Sequence, residues 1–428
     1  MDSRTETEGA LLAICLEELV GPENVTRSPG IQIDALRPLL LVRPATGKEA
    51  AQCLEACSRW GAGVIAAGMM TWLECGNPVR SAQVVLSLSR MNRVAEYSPA
   101  DLTICAGAGI TLTELNSIVM KENQWLPLDP PGNGTLGAIV ACRSSGPLRF
   151  AYGTPRDYVI GLRLAHVDGS ESKSGGRVVK NVAGYDLNKL YIGSFGTLAV
   201  ITEVILKLKP VPERSATVLI TASDFPSIQK GASRILAGKL RPASLFVLNQ
   251  QMSSLLGIDG GGRAMLVRFI ESDAAVSDQL DRLQSIRHGI DCTLTTVDGA
   301  DAGLWPKIAD LNHTVVLKCS VSVSKTAQTL EVCEKHFQEC FAAADMGVGL
   351  VRIGIESNNL ELIGRIKSLR SEVESMGGTL IIERAPSFIR LEADAWGKPG
   401  PEISIMRSIK QRYDPDSLLS PGRFIAGI

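Results

Sequence analysis

Residues 175–203 read GGRVVKNVAGYDLNKLYIGSFGTLAVITE. Five glycines (Gly175, Gly176, Gly184, Gly193, Gly196) let the backbone come close to something flat or charged, because glycine has no Cβ to obstruct the approach. Lys180 and Asn181 add polar donors. The stretch runs into an apolar, β-rich segment, GTLAVITEVILKL over 196–208, which stops at Pro210 and Pro212. Two readings stand: a ligand-contacting segment and a purely structural loop. The second seldom combines so many glycines with a buried strand, so the residues favour the first.

Upstream the pattern is α/β. Thr46 caps a predicted helix over 48–60, which Gly61 and Gly63 end. A strand over 64–67 follows, and then Gly68-Met69-Met70-Thr71. A glycine directly after a strand is where a phosphate can meet main-chain N–H groups. Two methionines there are bulky and apolar, which leaves a phosphate turn, an encumbered one or a packed corner. Further strands are predicted over 83–88, 102–106, 125–128 and 158–167. Thr111-Leu-Thr-Glu114 is a capping box opening a helix to about 121. A helix with small residues on one side is predicted over 135–142.

The prolines at 210 and 212 mark a boundary. Beyond them, strands over 217–221, 245–248, 264–269, 293–297, 315–321, 349–355 and 379–383 interleave with helices over 224–237, 274–287, 327–344 and 360–376. That is the signature of one antiparallel sheet with helices on one face, so the fold class is α+β. Residues 399–428 return to a helix and a turn at Ser420-Pro-Gly-Arg423, and a short helix over 11–20 opens the chain.

Composition narrows the function. A chain of 428 residues calls for two or three domains. Its 44 Lys+Arg against 45 Asp+Glu give a net charge of −1, which points away from nucleic acid or an anionic membrane as partner. No apolar run reaches the ~18–20 residues of a membrane span. The acidic beginning does not read as a signal peptide, so the expected location is cytoplasmic. The ten cysteines form no CxxC pair and read as buried thiols of a reducing compartment. His166, His288, His313 and His336 are scattered, so no metal site is predicted.

Gly132-Asn-Gly134-Thr-Leu-Gly137 spells GxGxxG, with Asp157 twenty residues on. A nicotinamide-binding Rossmann unit would need an unbroken strand entering that turn. Pro130-Pro131 breaks it, and Asp157 follows a Gly-Thr-Pro-Arg turn, so this reading is set aside. The plain alternative is a glycine-rich turn before a packed helix.

Four stretches carry a more specific likeness in order: PLDPPGNGTLGAIVA (127–141), SGPLRFAYGTPRDYVIG (145–161), VVKNVAGYDLNKLYIGSFGTLAVITEVILKLKP (178–210) and DPDSLLSPGRF (414–424). Together the chain resembles the FAD-binding oxidoreductases of the vanillyl-alcohol oxidase/p-cresol methylhydroxylase (PCMH) type, and within them the FAD-binding E-type subunit of bacterial glycolate oxidase. The resemblance implies an N-terminal helical segment (1–33), a two-subdomain PCMH-type FAD-binding domain (34–212), an α+β cap (213–393) and a C-terminal segment (394–428) returning to the FAD domain. It implies non-covalent FAD, since no His or Cys stands in the first loop and Cys75 lies beyond it. Gly68, Met69, Met70 and Thr71, with Gly132, Gly134, Thr135, Leu136 and Gly137, are the implied pyrophosphate loops. Pro131, Ser145, Gly146, Lys180, Asn181, Gly184, Tyr185, Gly196, Ile201 and Arg423 complete the implied cofactor set.

The chain departs from the family in places. Met69 and Met70 replace the usual Gly, Asn or Ser. A histidine-rich HxxxGNxH-like segment is absent, and Ser420 stands where Asn often precedes Pro-Gly-Arg. Arg384 in IIERAP and Lys318 in VVLKCSV fall where the resemblance places cap residues facing the flavin. Either can bind a carboxylate; the bland alternative is a solvated strand-end charge. The implied function is the FAD-binding subunit of a 2-hydroxy-acid (glycolate or lactate) dehydrogenase. Its partners are a catalytic flavoprotein and an iron–sulfur subunit, through which any membrane association arises. The alternative is a non-catalytic, flavin-poor subunit of the same fold.

Overall fold

The computed structural model describes residues 3–176, 185–222, 225–258, 263–286, 292–297 and 299–428. Two layers of sheet build the first half. Four short strands lie in the order Val25–Arg27, Leu40–Val42, Val84–Ser87, Val64–Ala67; the last three are mutually parallel. The crossover between Leu40–Val42 and Val64–Ala67 is the helix Gly47–Arg59. Its Thr46 cap accepts the Glu49 N–H at 3.1 Å, and Ala50, Ala51, Cys53, Leu54, Ala56 and Cys57 form its buried face. The second sheet is antiparallel, in the order Val94–Ser98, Thr103–Gly107, Val200–Lys207, Val159–Ala165, Glu171–Gly175. One apolar core runs through both sheets.

The C-terminal segment closes this half. Leu418 O accepts the Val64 N–H at 2.8 Å, and Ser420 N–H reaches Val64 O at 2.9 Å, so the segment lies along the strand Val64–Ala67. The buried Lys410 Nζ donates to Thr197 O (2.8 Å), Asp414 Oδ2 (2.6 Å) and Leu419 O (3.1 Å). All three ammonium protons are placed, which is the condition for tolerating a buried cation.

The cap is an eight-stranded antiparallel sheet in the order Cys292–Thr296, Arg214–Ala222, Ala264–Glu271, Ser244–Leu248, Phe341–Asp345, Leu350–Ile355, Val315–Ser320, Thr379–Arg384. Strand side chains alternate between faces. Leu317, Cys319, Ala342, Ala344, Val351, Ile353 and Ile382 therefore pack beneath the covering helices. On the opposite face Val316 and Ala343 cluster with Met252, Trp305 and Ile308 of the helices Gln250–Leu255 and Ala300–Ala309, so helices cover both faces rather than the one expected, while Lys318, Asp345, Arg352 and Glu383 line a cavity shared with the first half.

Two expectations are corrected. The helix foreseen over 327–344 ends at His336, and Phe341–Asp345 is a strand near the middle of the sheet, paired with Ser244–Leu248 and Leu350–Ile355. Three consecutive alanines favour helix locally, but pairing on both edges overrides that preference. The strand foreseen over 125–128 shrinks to Gln124–Trp125, pairing with Lys209–Pro210. Among the described residues no helix is long and apolar enough to cross a membrane.

Candidate active site

The strand Val64–Ala67 delivers the chain to Gly68, where a Cβ would stand 2.0 Å from Thr135 Oγ1. Glycine is required there because the two loops press together. Met70 sits in the left-handed region at φ 59, a conformation that costs a side-chain-bearing residue strain. Its side chain is partly buried against the cluster of Ile65, Ala67 and Val85, while Met69 is 58% exposed. Among the described residues the amides of Gly68, Met69, Met70 and Thr71 donate no hydrogen bond. A left-handed residue within such a run turns successive N–H groups toward one concavity, the arrangement that takes an anion. These four residues line a groove with Thr135, Gly137, Gly196, Ile201 and Arg423.

The second loop is built differently. Gly137 N–H is committed to Ala108 O (2.8 Å) and Leu136 N–H to Ile110 O (2.8 Å). A Cβ on Gly137 would meet Ala108 Cβ at 2.8 Å, and one on Gly134 would meet Trp72 Cη2 at 2.7 Å. The GxGxxG glycines at 134 and 137 thus serve close backbone packing. Gly132 (φ 66) is exposed on the turn, and Leu136 is core.

The groove adjoins a second cavity beneath the cap. Trp72, Cys75, Cys142 and Phe195 line both. Burial raises the Cys75 thiol to about 11 and raises Cys142 as well, so both thiols are protonated at neutral pH and poor nucleophiles. Phe195 stands edge-on to Trp396 with ring centroids 4.8 Å apart. Glu383 on the cap face bonds Lys318 Nζ at 2.7 Å through Oε1 and Arg352 Nε at 2.7 Å through Oε2. Burial pushes the Glu383 carboxyl up, but Arg352 and Lys318 together bring it down to about 2. Arg384 donates to Asn312 Oδ1 at 3.1 Å. Burial raises Asp345 to about 7 against the Gly347 N–H and the Arg149 charge. From the other half, Arg143, Ser145, Gly146 and Arg149 line the same cavity with Pro131.

The sequence-derived set therefore divides. Gly68, Met69, Met70, Thr71, Thr135, Gly137, Gly196, Ile201 and Arg423 share the groove. Pro131, Ser145, Gly146, Lys318 and Arg384 share the cavity. Tyr185 is 95% exposed and lines neither, and Lys180, Asn181 and Gly184 lie outside the described residues. The Arg423 guanidinium donates to Leu73 O (2.6 Å) and Cys75 O (2.9 Å), so it holds the first loop in place. Asp34 and Arg390, which sequence reasoning missed, form a buried ion pair behind that loop; Arg390 Nη1 also reaches Gly76 O at 3.0 Å. Arg143, Arg149, Asp345, Arg352 and Glu383 were missed as well. A lone arginine in the strand LVRIGI and the Glu383-Arg384 pair closing LIIER were the available signals.

Paired sheets clasping a groove, an antiparallel cap above it and a C-terminal return define an FAD-binding fold of the PCMH type. Residues 38–174 match the family model described as an FAD binding domain. The solved p-cresol methylhydroxylase with substrate bound superposes with a TM-score of 0.73 at 15% identity, over 97% of this chain and 96% of that one. Glycolate oxidase subunit GlcD of Bacillus subtilis (strain 168) is 26% identical over 96% of this chain and 96% of its own length. Glycolate oxidase subunit GlcE of Escherichia coli (strain K12) is 38% identical, but over 35% of this chain and 42% of its own. The cofactor is FAD, and the chain is similar to these glycolate oxidase subunits. The likeness to GlcE is confined to about a third of the chain, whereas that to GlcD runs through nearly all of it.

Proposed function

We propose that the chain oxidises a small 2-hydroxy acid at bound FAD and passes the electrons to an iron–sulfur partner subunit of a glycolate-oxidase-type complex. The observation that carries this reading is the continuity of the FAD groove with a cavity whose cap face presents Lys318, Arg352 and Arg384. The amides of Gly68–Thr71 would hold the pyrophosphate. Gly196 and Ile201 would flank the cofactor, and Ser145 and Gly146 would meet the flavin ring. FAD supplies the hydride acceptor when bound. The cap cations bind and orient the carboxylate, and Glu383 keeps Lys318 and Arg352 fixed while they do so. Closing the cavity between two packed halves keeps water from the reacting carbon.

The test is anaerobic addition of glycolate or D-lactate to the purified flavoprotein. Bleaching of the oxidised flavin band is expected; a band unchanged by every 2-hydroxy acid tried overturns the reading. A flavin-poor, non-catalytic subunit is the second reading. It is favoured by the left-handed Met70 and by the lack, among the described residues, of any histidine lining groove or cavity. A colourless protein that takes up no added FAD would decide for it.

A further inference from the structure

A 2-hydroxy acid that becomes a 2-oxo acid gives up its hydroxyl proton as well as a hydride, and some group must take the proton. Among the described residues no histidine lines the groove or the cavity. The Cys75 and Cys142 thiols hold their own protons at neutral pH. Three carboxyl groups line the cavity, those of Asp310, Asp345 and Glu383. Asp310 is half-buried where the helix Ala300–Ala309 ends, off the strands of the cap sheet. Asp345 and Glu383 stand on one face of that sheet in different surroundings. Lys318 and Arg352 occupy both oxygens of Glu383 and hold it at about 2, so at neutral pH it stays ionised. Asp345 is 3% exposed. The Gly347 N–H donates to its Oδ1 at 3.0 Å, and among the described residues no side chain donates to either oxygen.

Strand register brings Asp345 beside the cap cations. Arg352 lies opposite Ala343 on the neighbouring strand, and Ala343 is two positions from Asp345. Arg352 and Asp345 are therefore diagonal neighbours on one face, with Cβ atoms about 7 Å apart. An acid whose carboxylate rests on Arg352 carries its hydroxyl on the next carbon, within reach of Asp345. Phe246, opposite Asp345 on the other flanking strand, lines the same cavity and brings no charge. The charged groups around Asp345 are Arg352, with Lys318 and Glu383 beyond it, and Arg149 from the helix Arg149–Tyr152. Arg149 is itself flanked by Arg143, Asp157 and Glu383. Burial raises the Asp345 carboxyl more than the Gly347 N–H and the Arg149 charge lower it, which leaves it at about 7. Two carboxyl groups pushed apart in this way take different roles: the one that stays ionised orients, and the one near neutrality exchanges protons. The corner is also fixed. The Phe150 ring lies against Gly347, where a Cβ would be 2.4 Å away, and Ser244 Oγ donates to Pro147 O at 2.8 Å.

We propose that Asp345 is the general base of the reaction, taking the hydroxyl proton of a 2-hydroxy acid whose carboxylate the cap cations hold. The proposal rests on the 2-hydroxy-acid reading of the site and adds the residue that moves the proton. The O–H bond breaks, its proton passes to the Asp345 carboxylate, its electron pair closes the carbon–oxygen double bond, and the hydride leaving the same carbon is what bound FAD accepts. Protonated Asp345 then donates to the new keto oxygen, and it returns the proton to water once the product has left.

The test has two readouts on the FAD-saturated full chain. The first is calorimetric binding at pH 7, in buffers of different ionisation heat, of pyruvate and of propanoate, which lacks the keto oxygen. Pyruvate should take up about half a proton per site and propanoate less. Asp345→Asn should abolish the difference, and Asp310→Asn should keep it. The second is the rate of flavin bleaching by whichever of glycolate and D-lactate reduces the parent, followed against pH. It should rise through a midpoint near the Asp345 value of about 7. Asp345→Asn should slow it about a hundredfold or more and remove the midpoint, and Asp345→Glu should restore part of the rate. Arg149→Gln should move the midpoint up, because the Arg149 charge holds it down. An Asp345→Asn rate within about tenfold of the parent, or proton uptake that survives in that variant, overturns the proposal while leaving the 2-hydroxy-acid reading standing. Should Asp345→Asn fail to fold, an unmoved midpoint in Arg149→Gln overturns it. A parent that neither bleaches with these acids nor binds pyruvate overturns both.

Discussion

The FAD-binding half brings unbonded main-chain amides to its groove, and the cap brings charged side chains to its cavity. In the first, Gly68–Thr71 line the groove with amides that donate no hydrogen bond, and glycines 68, 134 and 137 allow backbone to pack within a few ångströms of a neighbour. In the second, Lys318, Arg352, Asp345 and Glu383 project from alternate positions of a sheet whose other face is apolar core. Main-chain dipoles do not titrate and need only shape to be kept; side-chain charges depend on pH and on their partners. The FAD half should accordingly answer to changes of volume, and the cap to changes of charge. The largest effect is expected where the two halves are tied together.

That tie is Arg390, from the cap side, on Asp34, with side chains 1% and 2% exposed. Asp34 also accepts Val79 N–H at 3.0 Å. Removing Arg390 leaves the buried Asp34 only Val79 N–H and the Arg423 guanidinium at 3.8 Å, so Arg390→Ala should lower stability by about 3 kcal/mol, the low end for breaking a buried pair, read from the urea midpoint. FAD should be lost along with it, since Arg390 bonds the first loop at Gly76 O. The exposed pair Arg27–Glu17 provides the contrast: Arg27→Ala should cost about 0–1 kcal/mol. Similar losses in the two variants would show that the halves are not joined through Asp34.

Glu383 and Asp345 sharpen the comparison by opposite signs. Glu383 titrates at about 2 in the folded chain, below its value of about 4.3 when unfolded. Its contribution is therefore complete above the unfolded value and is lost as pH falls toward 2, an effect on the order of 3 kcal/mol. Glu383→Gln should remove that acid-side slope. Asp345 is raised to about 7, so the folded chain holds its proton longer than the unfolded chain does. Stability then falls as pH climbs from about 4 toward 7, and Asp345→Asn should flatten that fall. Urea unfolding at pH 2, 3, 4, 5, 7 and 8 distinguishes the two, the Glu383 effect being read below pH 4 and the Asp345 effect above it; unchanged slopes in both variants would mean the cap charges are solvated.

The halves also differ in how much of them the sequence discloses. Glycine-rich turns, the capping box at Thr111 and the proline boundary are local signals, and the FAD half is built largely from local signals. The cap strands announce themselves by alternation, except Phe341–Asp345, whose alanines carry a helical preference that only pairing with distant strands overrides. Long-range pairs leave no local trace: Asp34 and Arg390 stand 356 positions apart. Gly137 shows the converse. Its motif is conspicuous, yet the sequence does not say whether the glycine serves a ligand or a neighbouring strand, and here its N–H is bonded to Ala108 O. Gly137→Ala places a methyl against Ala108 Cβ and should cost about 1–3 kcal/mol through overpacking, with the loss seen in unfolding before FAD affinity changes. A variant as stable as the parent but depleted of flavin would return Gly137 to the pyrophosphate.

The smallest effect is expected at Met70, where the volume rule meets backbone strain. Holding a side-chain-bearing residue in the left-handed region costs about 1 kcal/mol, which Met70→Gly relieves. The same substitution removes a thioether half-buried against Ile65 and Val85, worth about 1 kcal/mol for a side chain so placed, and adds about 0.5–1 kcal/mol of glycine flexibility. The net is a loss of about 1 kcal/mol in stability. FAD affinity should move much less. The loop is fixed by contacts that belong to the folded chain: Gly68 against Thr135, the Met70 side chain in its apolar cluster, and Leu73 O bonded by Arg423. A strain present on both sides of a binding equilibrium does not shift it. Titration of parent and Met70→Gly with FAD, followed by flavin fluorescence quenching, should give dissociation constants within about tenfold of each other, a difference under about 1.4 kcal/mol. Tightening beyond tenfold would show that the loop rearranges on binding and that methionine opposes it. Loss of binding would show that the thioether packs on the cofactor, so that the first loop holds it through a side chain as well as through its amides.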